Sequence, residues 1–259
     1  MLGLPVPAHT PAHPHHQSNI YPQIYLCLLL FTGESKRYLQ VWFNLLEKQA
    51  MNNDYYTTHY EEEELVLISL CTVDCIDIFI RPVYKQIIVH SLNYFIHHKG
   101  LIVFGWYLST NALHLLVKGR EGYNLNEVIQ QYRSFTTDKI MEAMDTEPVL
   151  RKSWMTDKIE KSKGLFSSEK KILLWQEDVT AITVDGSNIS EIAECLHSIH
   201  QTAVRDRVVN IASDYVYSSA TDYMGHQGLV EIYKKPLIVQ QVAMLENMNG
   251  HYAVKYVKG

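Results

Sequence analysis

Basic residues are scarce in this chain: none occurs before Lys36, and over 259 residues 23 lysines and arginines face 28 aspartates and glutamates, a formal net charge of −5. Cationic side chains supply most non-specific affinity for nucleic acid, so the overall charge advertises no nucleic-acid surface. Local basic groups do occur, at Arg151-Lys152, from Lys158 to Lys163 and at Lys170-Lys171, and charge alone reads them as a solvated face. Cysteine is also sparse. Cys27, Cys71, Cys75 and Cys195 have no zinc-ligand spacing and read as reduced thiols of a cytoplasmic protein. Long hydrophobic runs are missing too. The apolar stretch Ile24 to Phe31 is too short to span a bilayer, and it lacks the positively charged start of a secretion signal, so no membrane partner is expected.

What is present is ordinary globular material, 47% hydrophobic, enough for one domain of about 180 residues with extensions. The first fifty residues stand apart. Pro5, Pro7, Pro11 and Pro14 alternate with His9, His13, His15 and His16 in a segment unsuited to packing, and residues 1–50 read as a disordered or atypical leader. Met51-Asn52-Asn53-Asp54 reads as the start of the domain proper, expected over 51–240, with a tail over 241–259.

Within that span, strands and helices alternate. Leu65 to Val73, after the acidic run Glu61 to Glu64, has the apolar and β-branched character of a strand. Pro82 suits the first turn of a helix whose apolar residues Val83, Ile87, Leu92, Phe95 and Ile96 recur at helical intervals until Gly100. Leu101 to Leu108 and Leu113 to Val117 read as neighbouring strands joined through Ser109-Thr110-Asn111. Asn124 is a good cap for a helix carrying Leu125, Val128, Ile129, Tyr132 and Phe135 on one face. Pro148 marks a break, Gly164 to Ser168 a loop, and Ser190 caps the helix that carries Ser198. The pattern predicts an α+β fold, an antiparallel sheet backed by helices, without selecting among such folds.

The segment Trp106-Tyr107-Leu108-Ser109-Thr110-Asn111-Ala112-Leu113-His114-Leu115-Leu116-Val117 resembles the metal-binding strand of the REP-associated tyrosine transposases. These belong to the single-tyrosine HUH group, which cuts single-stranded DNA, and there the strand reads Tyr-Val-x-Met-Pro-Asn-His-x-His-Leu-Leu. Further segments follow in the same order. Asp74 to Arg81 with Tyr84 to Ile88 and Ser91 to Tyr94 is similar to the family's opening strand and first helix, and Trp175-Gln176 to its Trp-Gln pair. Ser198-Ile199-His200-Gln201-Thr202-Ala203-Val204-Arg205 resembles the helix Tyr-Ile-His-Asn-Asn-Pro-Val-Arg, and Asp214 to Ala220 with Asp222-Tyr223 the element Asp-Tyr-x-Tyr-Ser-Ser-Ala. The match covers residues 65–232.

The resemblance implies a ferredoxin-like HUH domain, and the departures from it fall on reactive groups. Ser198 stands where the family has its nucleophilic tyrosine, Thr202 where it has an amide ligand, Ala112 where it has the first metal-binding histidine, and Ser109-Thr110 and Ala203 where it has Met-Pro and Pro. Of the metal ligands only His114 remains. Two histidines one apart on a strand share a face and can hold one cation, whereas a single imidazole binds a divalent ion weakly. A serine hydroxyl is less acidic than a phenol and needs a base; His197 and His200 flank Ser198, but neighbouring helical side chains point in different directions. No cofactor is therefore expected, although active family members use Mg²⁺ or Mn²⁺.

These features predict a transposase-like protein that binds single-stranded or hairpin DNA without cutting it, through Asn111, His114, Arg205, Tyr215 and Tyr217, with His114 and Ser198 near each other. Two alternatives stand beside it. One is a protein-interaction module that has lost DNA binding. The other is an active single-strand nuclease whose nucleophile has moved to Tyr107, Tyr123 or Tyr132.

Overall fold

A computed structural model describes residues 64–146, 148–161 and 174–256; the expected leader, the Met51 start and the Gly164 to Ser168 loop lie outside them. Among the described residues four strands form one antiparallel sheet: β1 (Leu65–Cys71), β2 (Leu101–Leu108), β3 (Ala112–Gly119) and β4 (Thr180–Val184), in the order β2-β3-β1-β4. Helix α1 (Pro82–His98) connects β1 to β2, and α2 (Leu125–Met144) followed by α3 (Val149–Lys161) connects β3 to β4. This is the βαββαβ order of a ferredoxin-like fold, with an extra helix in its second crossover.

Sequence reasoning missed β4. Its run Thr180-Ala181-Ile182-Thr183-Val184 is rich in β-branched residues, which suit a pleated surface, but it is only five residues long.

One face of the sheet makes the main core. Val66, Ile68 and Leu70 of β1, with Leu113, Leu115 and Val117 of β3, alternate onto it and meet Tyr84, Ile88, Leu92 and Phe95 of α1 and Val128, Ile129 and Tyr132 of α2. Phe95 and Tyr132 pack edge to face at 5.3 Å. Each fully buried aliphatic or aromatic side chain here contributes about 1.5–3 kcal/mol. The Trp175 indole also belongs to this core, donating to Thr136 Oγ1 at 2.9 Å.

The other face is covered as well, by α4 (Ile189–His200) and, packed on it, α5 (Pro236–Tyr256). Burial on both faces accounts for the nearly unbroken apolar run of β1. Gly105 of β2 admits α4: a Cβ there would lie 2.2 Å from Leu196 Cδ2. The helix is capped by Asn188, whose Oδ1 accepts from Glu191 N–H at 3.2 Å, and not by Ser190; Asn188 has Glu191 three positions on, the spacing of a capping box. Asn124 caps α2 as expected, accepting from Glu127 N–H at 3.2 Å. Helix α5 runs across residue 240, so the boundary expected there falls inside one helix.

Between α4 and α5 the chain makes helical turns at Thr202–Arg205 and Ala220–Tyr223 and lies along the outer edge of β2. Leu108 N–H donates to Tyr217 O at 2.9 Å, Ser219 N–H to Trp106 O at 2.9 Å, and Tyr233 N–H to Val103 O at 2.7 Å. The Asp214 to Ala220 motif is thereby pinned beside the strand that precedes His114.

Candidate functional site

Strand register puts Ser69 of β1, His114 of β3 and Tyr107 of β2 in one row across the sheet. Ser69 Oγ lies 2.7 Å from His114 Nδ1, and the Tyr107 ring stacks on the imidazole with centroids 6.0 Å apart. Burial, with help from the Arg205 guanidinium, pushes the His114 pKa down to about 4, so the ring is neutral at pH 7. Tyr107 lies two residues beyond Gly105, on the face that carries α4.

The Tyr107 hydroxyl donates to Asp206 Oδ2 at 3.1 Å. Burial and the neighbouring carboxylate raise the Tyr107 pKa, so it stays a phenol. Burial also raises the Asp206 carboxyl, against the opposing pull of its bonds to Tyr107 and the charge of Arg205. The Tyr215 ring lies 5.4 Å from that of Tyr107, and its hydroxyl donates to Leu108 O at 2.8 Å. Lys85, from the opening turn of α1, donates to Tyr215 Oη at 3.0 Å and places its amine 4.5 Å from the centre of the Tyr217 ring.

Arg205 joins this cluster to the end of α4. Its guanidinium donates to Ser198 O at 3.2 Å and to Thr202 Oγ1 at 2.6 Å, while Thr202 Oγ1 donates to Ser198 O at 3.1 Å. Helix α4 thus lies on the sheet face that bears His114, with the Ser198 carbonyl tied to Arg205. The Ser198 hydroxyl is sealed off: the residue is 3% exposed and its Oγ has no hydrogen-bond partner. Its two histidine neighbours point to α5 instead, with His197 Nδ1 and His200 Nδ1 at 3.1 and 3.5 Å from Glu246 Oε1.

Other residues singled out in the sequence take different places. Asn111 donates from Nδ2 to Cys75 O at 3.2 Å and accepts from Ser109 Oγ, bracing the loop after β1, where Asp74 and Cys75 both have positive φ. Ala112 is buried and pairs with Cys71. Of the three tyrosines considered as relocated nucleophiles, Tyr132 is wholly buried in the α1–α2 core, Tyr107 is 1% exposed and bound to Asp206, and Tyr123 lies beyond the far end of β3. Lys85, Asp206 and Ser69 were not anticipated as site residues. The first two had a signal, since Lys85 sits in a segment that carries the resemblance and Asp206 follows Arg205 directly.

The residues at His114 do not fit the divalent cation that the transposase resemblance implies. Ala112 has no donor atom, Thr202 Oγ1 is engaged with Arg205 and Ser198 O, and the guanidinium is close enough to depress the imidazole. Among the described residues no three His, Cys, Asp or Glu side chains gather as a metal-binding group. No helix among them is long and apolar enough to cross a membrane.

Comparison with known proteins finds no matching family model and no matching curated protein. Among solved structures, the chain is similar to a REP-associated tyrosine transposase bound to a REP hairpin, at 12% identity and a TM-score of 0.49, over 70% of this chain and 92% of that one.

Proposed function

We propose that this chain is a transposase-like protein of HUH type that binds single-stranded or hairpin DNA and does not cut it. The observation that carries the reading is the convergence of four segments distant in sequence: Lys85 of α1, Tyr107 with His114 of β2 and β3, Arg205 after α4, and Tyr215 with Tyr217. Each comes from a motif that carries the family resemblance. Together they place two cations and three phenols around one row of the sheet.

Loss of cleavage is supported by the surroundings of Ser198. Attack on a phosphodiester needs an accessible oxygen and a group that takes its proton, and Ser198 Oγ has neither exposure nor a hydrogen-bonded base. Arg205 and Lys85 can hold phosphate oxygens without activating water or a hydroxyl. Binding of labelled hairpin and linear single strands across a salt series tests the reading. Retention with a steep salt slope supports it, and no binding at low salt removes it in favour of a protein-interaction module.

A further inference from the structure

Lys85 is a cation in the wrong place for a purely structural residue. Its side chain is half-buried, and desolvation lowers the pKa of its amine. Its partners are the Tyr215 hydroxyl at 3.0 Å and the faces of Tyr215 and Tyr217 at 5.3 and 4.5 Å, and among the described residues no carboxylate pairs with it. It also sits in the opening turn of α1, which holds no acidic residue and whose cap, Arg81, makes no side-chain hydrogen bond to the helix. The positive end of the helix dipole disfavours a cation there. Removing an unpaired charge from water costs free energy that two phenol rings offset only in part.

These terms reverse sign if an anion comes to the amine. An ammonium has three N–H donors; one goes to Tyr215 Oη, and the rings leave at least one for an incoming oxygen. The Tyr215 hydroxyl is itself fixed by its bond to Leu108 O, so the lysine is held from a rigid point on β2.

We propose that Lys85, held by Tyr215 and Tyr217, is the contact for one phosphodiester of a bound nucleic-acid strand, made without a metal ion. The proposal rests on the DNA-binding reading above and adds to it which residue meets the phosphate. The contact carries charge and no base information, so its loss weakens all sequences alike.

The test uses the full chain and fluorescence anisotropy of labelled single-stranded and hairpin oligonucleotides, in Mg²⁺ and in EDTA, over a salt series. Lys85→Met is expected to raise Kd several-fold on every sequence and to lower the salt slope by about 0.7, the value of one phosphate contact on a single strand. Lys85→Arg should restore the slope. The melting temperature of Lys85→Met should equal or exceed that of the parent, because a half-buried cation without a carboxylate partner has been removed. EDTA should change nothing. Inorganic phosphate should compete only at concentrations far above those of the oligonucleotide; equal potency would make this a free-phosphate site and overturn the proposal. A parent protein that binds DNA with a slope unaltered by Lys85→Met overturns this contact alone. A parent that binds no DNA removes both this contact and the functional reading beneath it.

Discussion

Glu246 of α5 and His197 of α4 meet at 3.1 Å, Oε1 to Nδ1, in a contact with 11% and 8% of the two side chains exposed. His200 Nδ1 lies 3.5 Å from the same oxygen, and Gln201 Nε2 donates to Oε2 at 2.5 Å. His200 extends the chain of polar contacts to Ser219 Oγ, 2.9 Å from its Nε2, and Ser219 accepts from Trp106 N–H on β2. One carboxylate therefore fastens the last helix to the helix beneath it.

Despite burial, the close approach of the His197 and His200 rings to Oε1 draws the Glu246 pKa down to about 2 from an ordinary 4.5. A depressed carboxylate contributes stability that is complete above its unfolded pKa and is lost as pH falls through the folded one. Acid unfolding should accordingly show this contribution being lost between about pH 4.5 and pH 2. Denaturant melts of the parent and Glu246→Gln across that range check it: the variant should be less stable at pH 7 and show a flatter acid limb.

His114 gives a second window. Its folded pKa, about 4, lies below the ordinary 6.5, so the unfolded chain takes up a proton before the folded one does. Stability from this group is full above about pH 6.5 and falls as pH drops towards 4. Its ring-proton NMR signals should stay fixed from pH 8 to about 5; titration near 6.5 would show that the imidazole is solvated.

Gly105→Ala should cost about 1–3 kcal/mol, because the added methyl would meet Leu196 Cδ2 at 2.2 Å. Combining it with Leu196→Ala separates the clash from other effects. The double variant should show a favourable coupling in thermal melts, with less loss than the two single changes added together.

Ser198→Ala should leave stability unchanged or raise it by up to about 1 kcal/mol, since it removes a buried hydroxyl without a partner. Ser198→Tyr introduces the residue that the transposase resemblance implies at this position but must force a phenol into a filled space, at about 1–3 kcal/mol or more. The urea midpoint should fall for Ser198→Tyr and should not fall for Ser198→Ala.

The parent protein should not nick single-stranded DNA in Mg²⁺ or Mn²⁺. His114→Ala serves as the control: cleavage that survives it comes from a contaminant, and cleavage that it abolishes overturns the inactive reading.

Much of the sheet and its first helices was legible because their signals are local. Pro82, Gly100 and Asn124 punctuate elements through backbone geometry that each residue type imposes. The cap of α4 was misplaced by two residues because Asn188 and Ser190 are both good caps, and the Glu191 spacing decides between them. Of the residues that gather beside β2, His114, Arg205, Tyr215 and Tyr217 had been singled out through motifs. Lys85 was not singled out because its significance lies in lacking a carboxylate, a property of three-dimensional surroundings. The Glu246 latch was hidden for a similar reason: its partners are about fifty residues away, and nothing in the α5 sequence marks one carboxylate as buried.

The segment laid along β2 has a further effect, on how the sheet can grow. Its backbone bonds from Tyr217 and Ser219 occupy groups on Leu108 and Trp106 that an incoming strand would need. Among the described residues, the sheet ends on its other side at β4, only five residues long. Joining of two copies strand to strand is therefore confined to that short border, and the side nearest the tyrosine cluster is closed to it.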